Sequence, residues 1–211
     1  MNLSDMRTLV RRDLHDEDAA NYRWTDEELD RHIARAVKEF SLAVPREAKA
    51  TLSTTANSRD LSLATLTDRV VVEAIEYPLG KYPPSYVAFS VWGDTLTLLV
   101  DSPPLFATDV DVYYGRLQTL DVTTSTILEA LEDLVATGGA AYAALEWASF
   151  ATNRVNVGGD ETWRNYLVWG QERLAAFARA LAEHGRRGAL RARRLYTPAG
   201  PAEFGATDWQ P

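Results

Sequence analysis

The side chains able to do chemistry in this 211-residue chain are few and scattered. Its three histidines, His15, His32 and His184, stand far apart and share no metal-ligand spacing. Cysteine is absent, which removes thiolate nucleophiles, disulfides and Cys-based zinc sites. Ser41, Ser85, Ser90 and Ser149 lack the surroundings of a nucleophile elbow. Asp109 and Asp111 are two apart in a strand-like stretch, so both carboxylates fall on one face. No third ligand stands near them, and a solvated sheet face accounts for the pair. The polar run 15–18 lacks the alternating oxygen ligands, turn glycine and distal glutamate of a calcium loop, and reads as a solvated link. The glycine pair in 153–160 fits neither a Walker loop nor a dinucleotide loop and reads as a flexible turn. The sequence therefore predicts no catalytic residue, no cofactor and no metal.

Charge is the stronger signal. Arg186, Arg187, Arg191, Arg193 and Arg194 lie together with no acidic residue among them. Residues 184–211 carry a formal +3, which leaves −11 on residues 1–183 of the −8 total. After Tyr196 the chain is rich in Pro, Gly and Ala and ends in Trp209 and Pro211. Such a segment cannot build a core alone, and it reads as an extended arm ordered by a partner, with Trp209 as an anchor to be buried. The acidic body repels a phosphate backbone, which argues against a free-standing DNA binder. No apolar run approaches 18 residues, and the N-terminus lacks a basic stretch followed by an apolar one. The expectation is a soluble protein without a membrane span or signal peptide.

The elements that must hold these groups follow from periodicity. Residues 22–44 carry the sharpest helix start: Thr25 and Glu28 form a capping box, and Trp24 and Leu29 occupy the two positions of a hydrophobic staple. Leu29, Ile33, Val37 and Phe40 then make one apolar face, closed by Pro45. A shorter helix is expected over 3–14, with Ser4 as its cap and Arg7, Arg11 and Arg12 in solvent. From Thr51 to about Leu120 the period becomes two, which predicts four or five antiparallel strands with a tight turn at Gly93-Asp94. Helix returns at Thr126, where Thr126 and Glu129 have the spacing of a second capping box. Gly138 and Gly139 sit in an Ala-rich helix and imply close approach of another helix, and a last helix is expected over 161–183. The fold class is α+β: an antiparallel helical bundle (1–50 and 121–183) with an inserted antiparallel β domain (51–120) and an extended arm (184–211).

The pattern D-x-D-x-x-x-Y-R-W-T-D-E-E-L at 16–29, the A-V-K-E-F run before Pro45 and the GGAAYAALEWA helix at 138–148 together resemble the head-tail connector (head completion, or adaptor) proteins of tailed bacteriophages. The resemblance implies a virion protein without an active site, placed at the head-tail interface after assembly in the host cytoplasm. It implies a ring of twelve copies when assembled, compatible with a monomer when free, beneath the portal protein. The ring extends a channel through which DNA passes without specific binding, and it offers a surface to stopper or tail proteins. Arg186, Arg187, Arg191, Arg193, Arg194 and Trp209 occupy the place of the arm that clasps the portal. The long sheet-forming insert leaves open a tail-side adaptor of a podovirus-like tail. Two other classes stay open from the residues alone: an accessory nucleic-acid binder acting through the arginine arm, and an enzyme of unfamiliar type using Asp109 and Asp111.

Overall fold

The computed structural model describes residues 1–151 and 162–195, the last ten of these as helical backbone. Two compact units emerge: a helical unit of Met1–Arg46 with Leu117–Gly185, and a β unit of Glu47–Arg116. Helix α1 is Leu3–Asp13, α2 is Asp26–Ala43, α3 is Glu132–Ala151 and α4, which leaves the helical unit after Gly185, runs from Thr162 to Leu195. A short 3-10 turn, Glu129–Leu131, precedes α3. Among the described residues no helix is long and apolar enough to cross a membrane.

Helix α3 is apolar on all sides, and a helix of that kind belongs in the middle of a bundle. Its buried residues include Val135, Ala136, Gly138, Gly139, Ala140, Ala141, Ala143, Ala144 and Ala148. A Cβ on Gly138 would stand 2.9 Å from the Phe177 ring of α4 and 3.0 Å from the Ala36 methyl of α2. One on Gly139 would stand 3.3 Å from Ile33 and 3.4 Å from Val10 of α1. The glycine pair thus marks where three helices close on the fourth, and the centre of the bundle is α3. Met6, Val10, Leu29, Ile33, Phe40 and Phe177 complete this core.

Helix α2 starts as its sequence demands. The Thr25 hydroxyl accepts from the Glu28 amide at 3.2 Å, and the Glu28 carboxylate accepts from the Thr25 amide at 2.8 Å. Trp24 and Leu29 are both buried in the helical core. Three expectations nearby are corrected. The cap of α1 is Asn2, whose side chain accepts from the Asp5 amide at 2.9 Å, because Ser4 already lies inside the helix. Thr126 caps nothing: its hydroxyl donates to Gln118 at 2.8 Å and accepts from the Thr119 amide at 2.8 Å, while α3 begins only at Glu132. Arg11 is buried rather than solvated, held by Asp16 at 2.6 Å and Asp26 at 2.8 Å, with a third bond to the Trp24 carbonyl at 2.9 Å.

That last contact also changes the reading of the link after α1. Asp16 is buried, and it accepts the Arg23 amide at 2.7 Å besides the Arg11 guanidinium. The Arg11 guanidinium lies 3.5 Å from the Tyr22 ring centroid. Arg7 extends the network by bonding Asp26 at 2.7 Å and Asp30 at 2.8 Å. The link is therefore folded over a charged hub instead of hanging in solvent.

The β unit holds six strands in two three-stranded sheets, not one sheet of four or five. The strands are β1 Arg46–Ser53, β2 Asp60–Ser62, β3 Arg69–Glu76, β4 Phe89–Trp92, β5 Thr95–Leu98 and β6 Asp109–Arg116. Their orders are β1-β6-β3 and β2-β5-β4. Leu61, Leu96 and Leu98 of the second sheet meet Ile75, Val110, Val112 and Tyr114 of the first in one core. The Gly93-Asp94 turn joins β4 to β5, with Trp92 opposite Thr95 and Gly93 at a positive φ of 58°. The first strand begins at Arg46, ahead of the expected change at Thr51.

The chain leaves α2 and returns from β6 at one place. The Gln118 side chain donates to the Val44 carbonyl at 3.0 Å, and its amide donates to the Ser41 hydroxyl at 3.0 Å. Both strands of the connection are thus pinned to the end of α2.

Two mutational outcomes follow. Gly138→Ala gains about 1 kcal/mol of helix propensity but overpacks Phe177 and Ala36, which typically costs about 1–3 kcal/mol. Its urea midpoint should fall below that of Gly139→Ala, whose new methyl meets neighbours only at ordinary or slightly tight range. Arg11→Met leaves Asp16 buried without its cation and should lose about 3–5 kcal/mol. Adding Asp16→Asn should return part of that loss in a double-mutant cycle.

Candidate interaction surfaces

The residues that could have formed an active site are structural in this fold. Asp109 and Asp111 lie on β6, but each has its own partner on β1. Asp109 accepts from Ser53 at 2.5 Å; Asp111 accepts from Thr51 at 2.6 Å and pairs with Lys49 at 2.5 Å. They are rungs between two strands, not a free carboxylate pair. No group of three or more His, Asp or Glu side chains among the described residues could hold a metal ion.

His32 sits in the seam between α2 and α3, buried, with Nε2 2.5 Å from the Glu146 carboxylate. Arg31 bonds the same carboxylate at 2.6 Å. Burial lowers the His32 pKa below its ordinary 6.5. Burial alone would raise Glu146, but the Arg31 hydrogen bond and the His32 and Arg31 charges hold it below its ordinary 4.5. Beside it the Tyr142 hydroxyl donates to Glu39 at 2.5 Å, and burial together with that bond pushes its pKa to about 12. The Arg35 guanidinium lies 4.0 Å from the Tyr142 ring centroid. These groups tie α2 to α3 at the rim of the apolar seam. With Glu146 hydrogen-bonded by Arg31 and the His32 ring packed beside it, they make a fastening between the two helices.

The basic cluster is placed differently from its expected form. Helix α4 passes Glu183 and runs on to Leu195, so Arg186, Arg187, Arg191, Arg193 and Arg194 stand on helical backbone, which forms the first stretch of the C-terminal arm. The run contains Ala, Leu and Arg, all strong helix formers, which outweigh the two glycines at 185 and 188. Helical spacing puts 187, 191 and 194 on one face, at i, i+4 and i+7. At about 1.5 Å per residue the 34-residue helix is some 50 Å long. Trp209 and the expected turn at 153–160 lie outside the described residues.

The loops of the β unit expose large apolar side chains that the sequence alone did not single out. Tyr82 is 98% exposed, Trp92 83%, Phe106 77% and Leu105 69%. Side chains of this size are ordinarily covered, and their exposure marks surface available for contact, Trp92 beside the Gly93-Asp94 turn and the other three on the loops 77–88 and 99–108. The only sequence signal was their position beside prolines or turn residues: Tyr82 before Pro83, Trp92 before Gly93, and Leu105 after Pro104.

Comparison with known proteins gives a family and distantly similar solved structures. The family described as SU10 adaptor protein matches residues 1–201. No curated protein matches the chain. Among solved structures, a chain from the neck of an empty GTA particle, computed with C6 symmetry, is similar at 11% identity and a TM-score of 0.30. The match covers 80% of this chain and 88% of that one.

The electrostatics give a pH dependence with a definite sign. The Arg11 bond holds Asp26 below its ordinary 3.8, and Lys49 and Thr51 outweigh burial to hold Asp111 there too. With Glu146, these carboxyls are more readily protonated in the unfolded chain. Their stabilisation is complete above about pH 4.5 and is lost as pH falls through the depressed folded values. His32 acts in the same direction at higher pH, since the unfolded chain takes up its proton first as pH drops past 6.5. Urea midpoints should therefore decline from pH 7 to 5 and more steeply below 4.5, and His32→Gln should flatten the upper part of the curve.

Proposed function

We propose, on the premise that the chain belongs to the SU10 adaptor protein family, that the arginine-bearing end of α4 attaches this subunit to a receptor in the phage particle. The chain is a structural adaptor of the virion neck, at the head-tail interface, and it acts as one copy of an oligomer rather than as an enzyme. The observation that carries this is the family match over residues 1–201, which takes in the bundle, the β unit and all of α4.

The finer reading is a closed ring, of twelve copies, seated on the portal protein. Its other side offers a surface to a stopper or to the tail. A closed ring requires each subunit to present two different faces to its neighbours. The net negative charge of residues 1–183 would keep a passing duplex from binding. On the portal side, guanidinium forks at 187, 191 and 194 suit carboxylates and carbonyls of a receptor. A single exposed pair adds about 0–1 kcal/mol, so attachment depends on many subunits acting at once through effective concentration. A subunit held this way is weakly bound alone and firmly bound as part of a ring, which fits a free monomer that assembles on its receptor.

Co-sedimentation with portal-bearing heads tests both levels. The wild-type chain should co-sediment, and Arg187→Glu/Arg191→Glu/Arg194→Glu should not, with circular dichroism showing that both are folded. Equal binding by the two would remove the arginines from the contact. Failure of the folded wild type to bind heads would overturn the adaptor reading. Salt-dependent binding to bare duplex DNA, lost in the triple variant, would favour a nucleic-acid partner instead.

A further inference from the structure

The second sheet of the β unit, β2-β5-β4, divides its side chains between two faces. Residues directly opposite one another in an antiparallel ladder lie on the same face. Leu61, Leu96 and Leu98 carry the inner face and are buried in the core of the unit. The outer face consists of two rungs that cross all three strands: Asp60, Thr97 and Ser90 in one, Ser62, Thr95 and Trp92 in the other. It presents four hydroxyls, one carboxylate and one indole, on strands about 4.8 Å apart. Trp92 is left uncovered because its cross-strand neighbour, Thr95, is too short to shield it. The Thr97 hydroxyl donates to Asp60 Oδ1 at 2.6 Å, and the Asp60 amide donates to the Ser58 hydroxyl at 3.1 Å. Those bonds hold the carboxylate in place, with its other oxygen unpartnered among the described residues.

We propose that this face binds a neutral polysaccharide, with a sugar ring stacked on Trp92 and its hydroxyls bonded to Asp60, Thr95, Thr97 and Ser90. Three features select that occupant. The first is charge. The face carries no cation and its single charge is negative, so it repels nucleic acid and acidic glycans alike. The nearest arginines in sequence are turned to other work: Arg59 donates to the Val100 and Asp101 carbonyls, and Arg69 to the Leu63 and Gly93 carbonyls. The second is the mixture of groups. A protein partner needs an apolar centre to bury, whereas here one indole stands among hydroxyls. A pyranose matches that mixture: its C–H groups, polarised by their oxygens, meet the negative face of an aromatic ring, and its hydroxyls both donate and accept. The Asp60 carboxylate supplies the stronger, charge-assisted acceptor. The third is order. Every one of these side chains stands on a hydrogen-bonded strand, so little freedom is lost on binding. One copy holds a short stretch of polymer weakly, and several copies in an oligomer hold it firmly through effective concentration. That last step rests on the adaptor reading; the binding itself does not.

The test uses the isolated full-length protein, with no head or portal present. Native gels are cast with dextran, mannan, galactomannan or hydroxyethylcellulose, and with heparin as the anionic comparison. Mobility against polymer concentration gives the Kd. At least one neutral polymer should retard the wild type, and heparin should not. Trp92→Ala should weaken that binding about tenfold, Trp92→Phe less so, and Asp60→Ala should weaken it as well. Trp92 is exposed, so its replacement should leave the urea midpoint unchanged, and a loss of binding then reads the contact itself. Tyr82→Ala removes another exposed ring, outside this sheet, and should bind as the wild type does. No retardation by any of the neutral polymers would overturn the proposal. So would undiminished binding by Trp92→Ala, an equal loss in Tyr82→Ala, or retardation by heparin alone. Because no head takes part, failure here leaves the adaptor reading to be judged on its own experiment.

Discussion

The bundle depends on how closely four helix backbones can approach at Gly138 and Gly139. A side chain at either position would fill the space now held by Phe177, Ala36, Ile33 and Val10. With small residues on every side, α3 gives its neighbours a nearly smooth post, and dispersion contacts accumulate because the packed backbones lie close. Polar groups have no room there. They are moved to the margin, where Arg31, His32 and Glu146 fasten one seam and Tyr142 with Glu39 another. The same logic recurs where Gly170 of α4 faces Leu145, with a Cβ there 2.9 Å from the leucine. Small residues set the distances, and the large apolar side chains of α1, α2 and α4 fill what remains.

Against this apolar post the Arg11 hub is a different kind of device. Burying a guanidinium and a carboxylate carries a desolvation penalty that their attraction only partly offsets. What the hub supplies is specificity. Arg11 joins the end of α1 to Asp16 in the link, to the Trp24 carbonyl and to Asp26 at the start of α2. Trp24 is thereby held at the angle from which its ring meets Trp147 of α3 edge-on, with centroids 5.8 Å apart. An apolar residue at position 11 could fill the volume, but it would not choose among the paths that the link could take.

What could be read in the sequence follows the range of the interaction concerned. The start of α2 was legible because Thr25, Glu28, Trp24 and Leu29 act within a single turn and its flank. Thr126 and Glu129 show the same spacing, yet the Thr126 hydroxyl is taken by Gln118 and Thr119 across a β-bridge, a contact from outside the helical turn that the capping pattern does not contain. Arg11 looked solvated for the same reason, since its partners come from beyond its own helix. Strand β1 escaped notice because Ala48 and Ala50 carry its inner face, and alanine is a poor strand signal. The end of α4 was drawn too early because composition shifts at His184, whereas helix propensity does not. That the loops of the β unit leave Tyr82, Leu99, Leu105 and Phe106 uncovered could not be read, since hydrophobic residues announce burial until a fold shows them exposed.

The pinning of Gln118 to Val44 and Ser41 has a consequence for how such a protein can vary. Both ends of the β unit spring from one hydrogen-bonded stem, so the connection to the helical scaffold is closed where the chain leaves α2 and returns from β6. Seventy residues could be exchanged for a short turn, or for another module with neighbouring termini, with little strain transmitted to the helices. The stem is a socket. Lineages sharing this bundle are free to trade the module it carries, and to change what the particle meets without redesigning how it is held together.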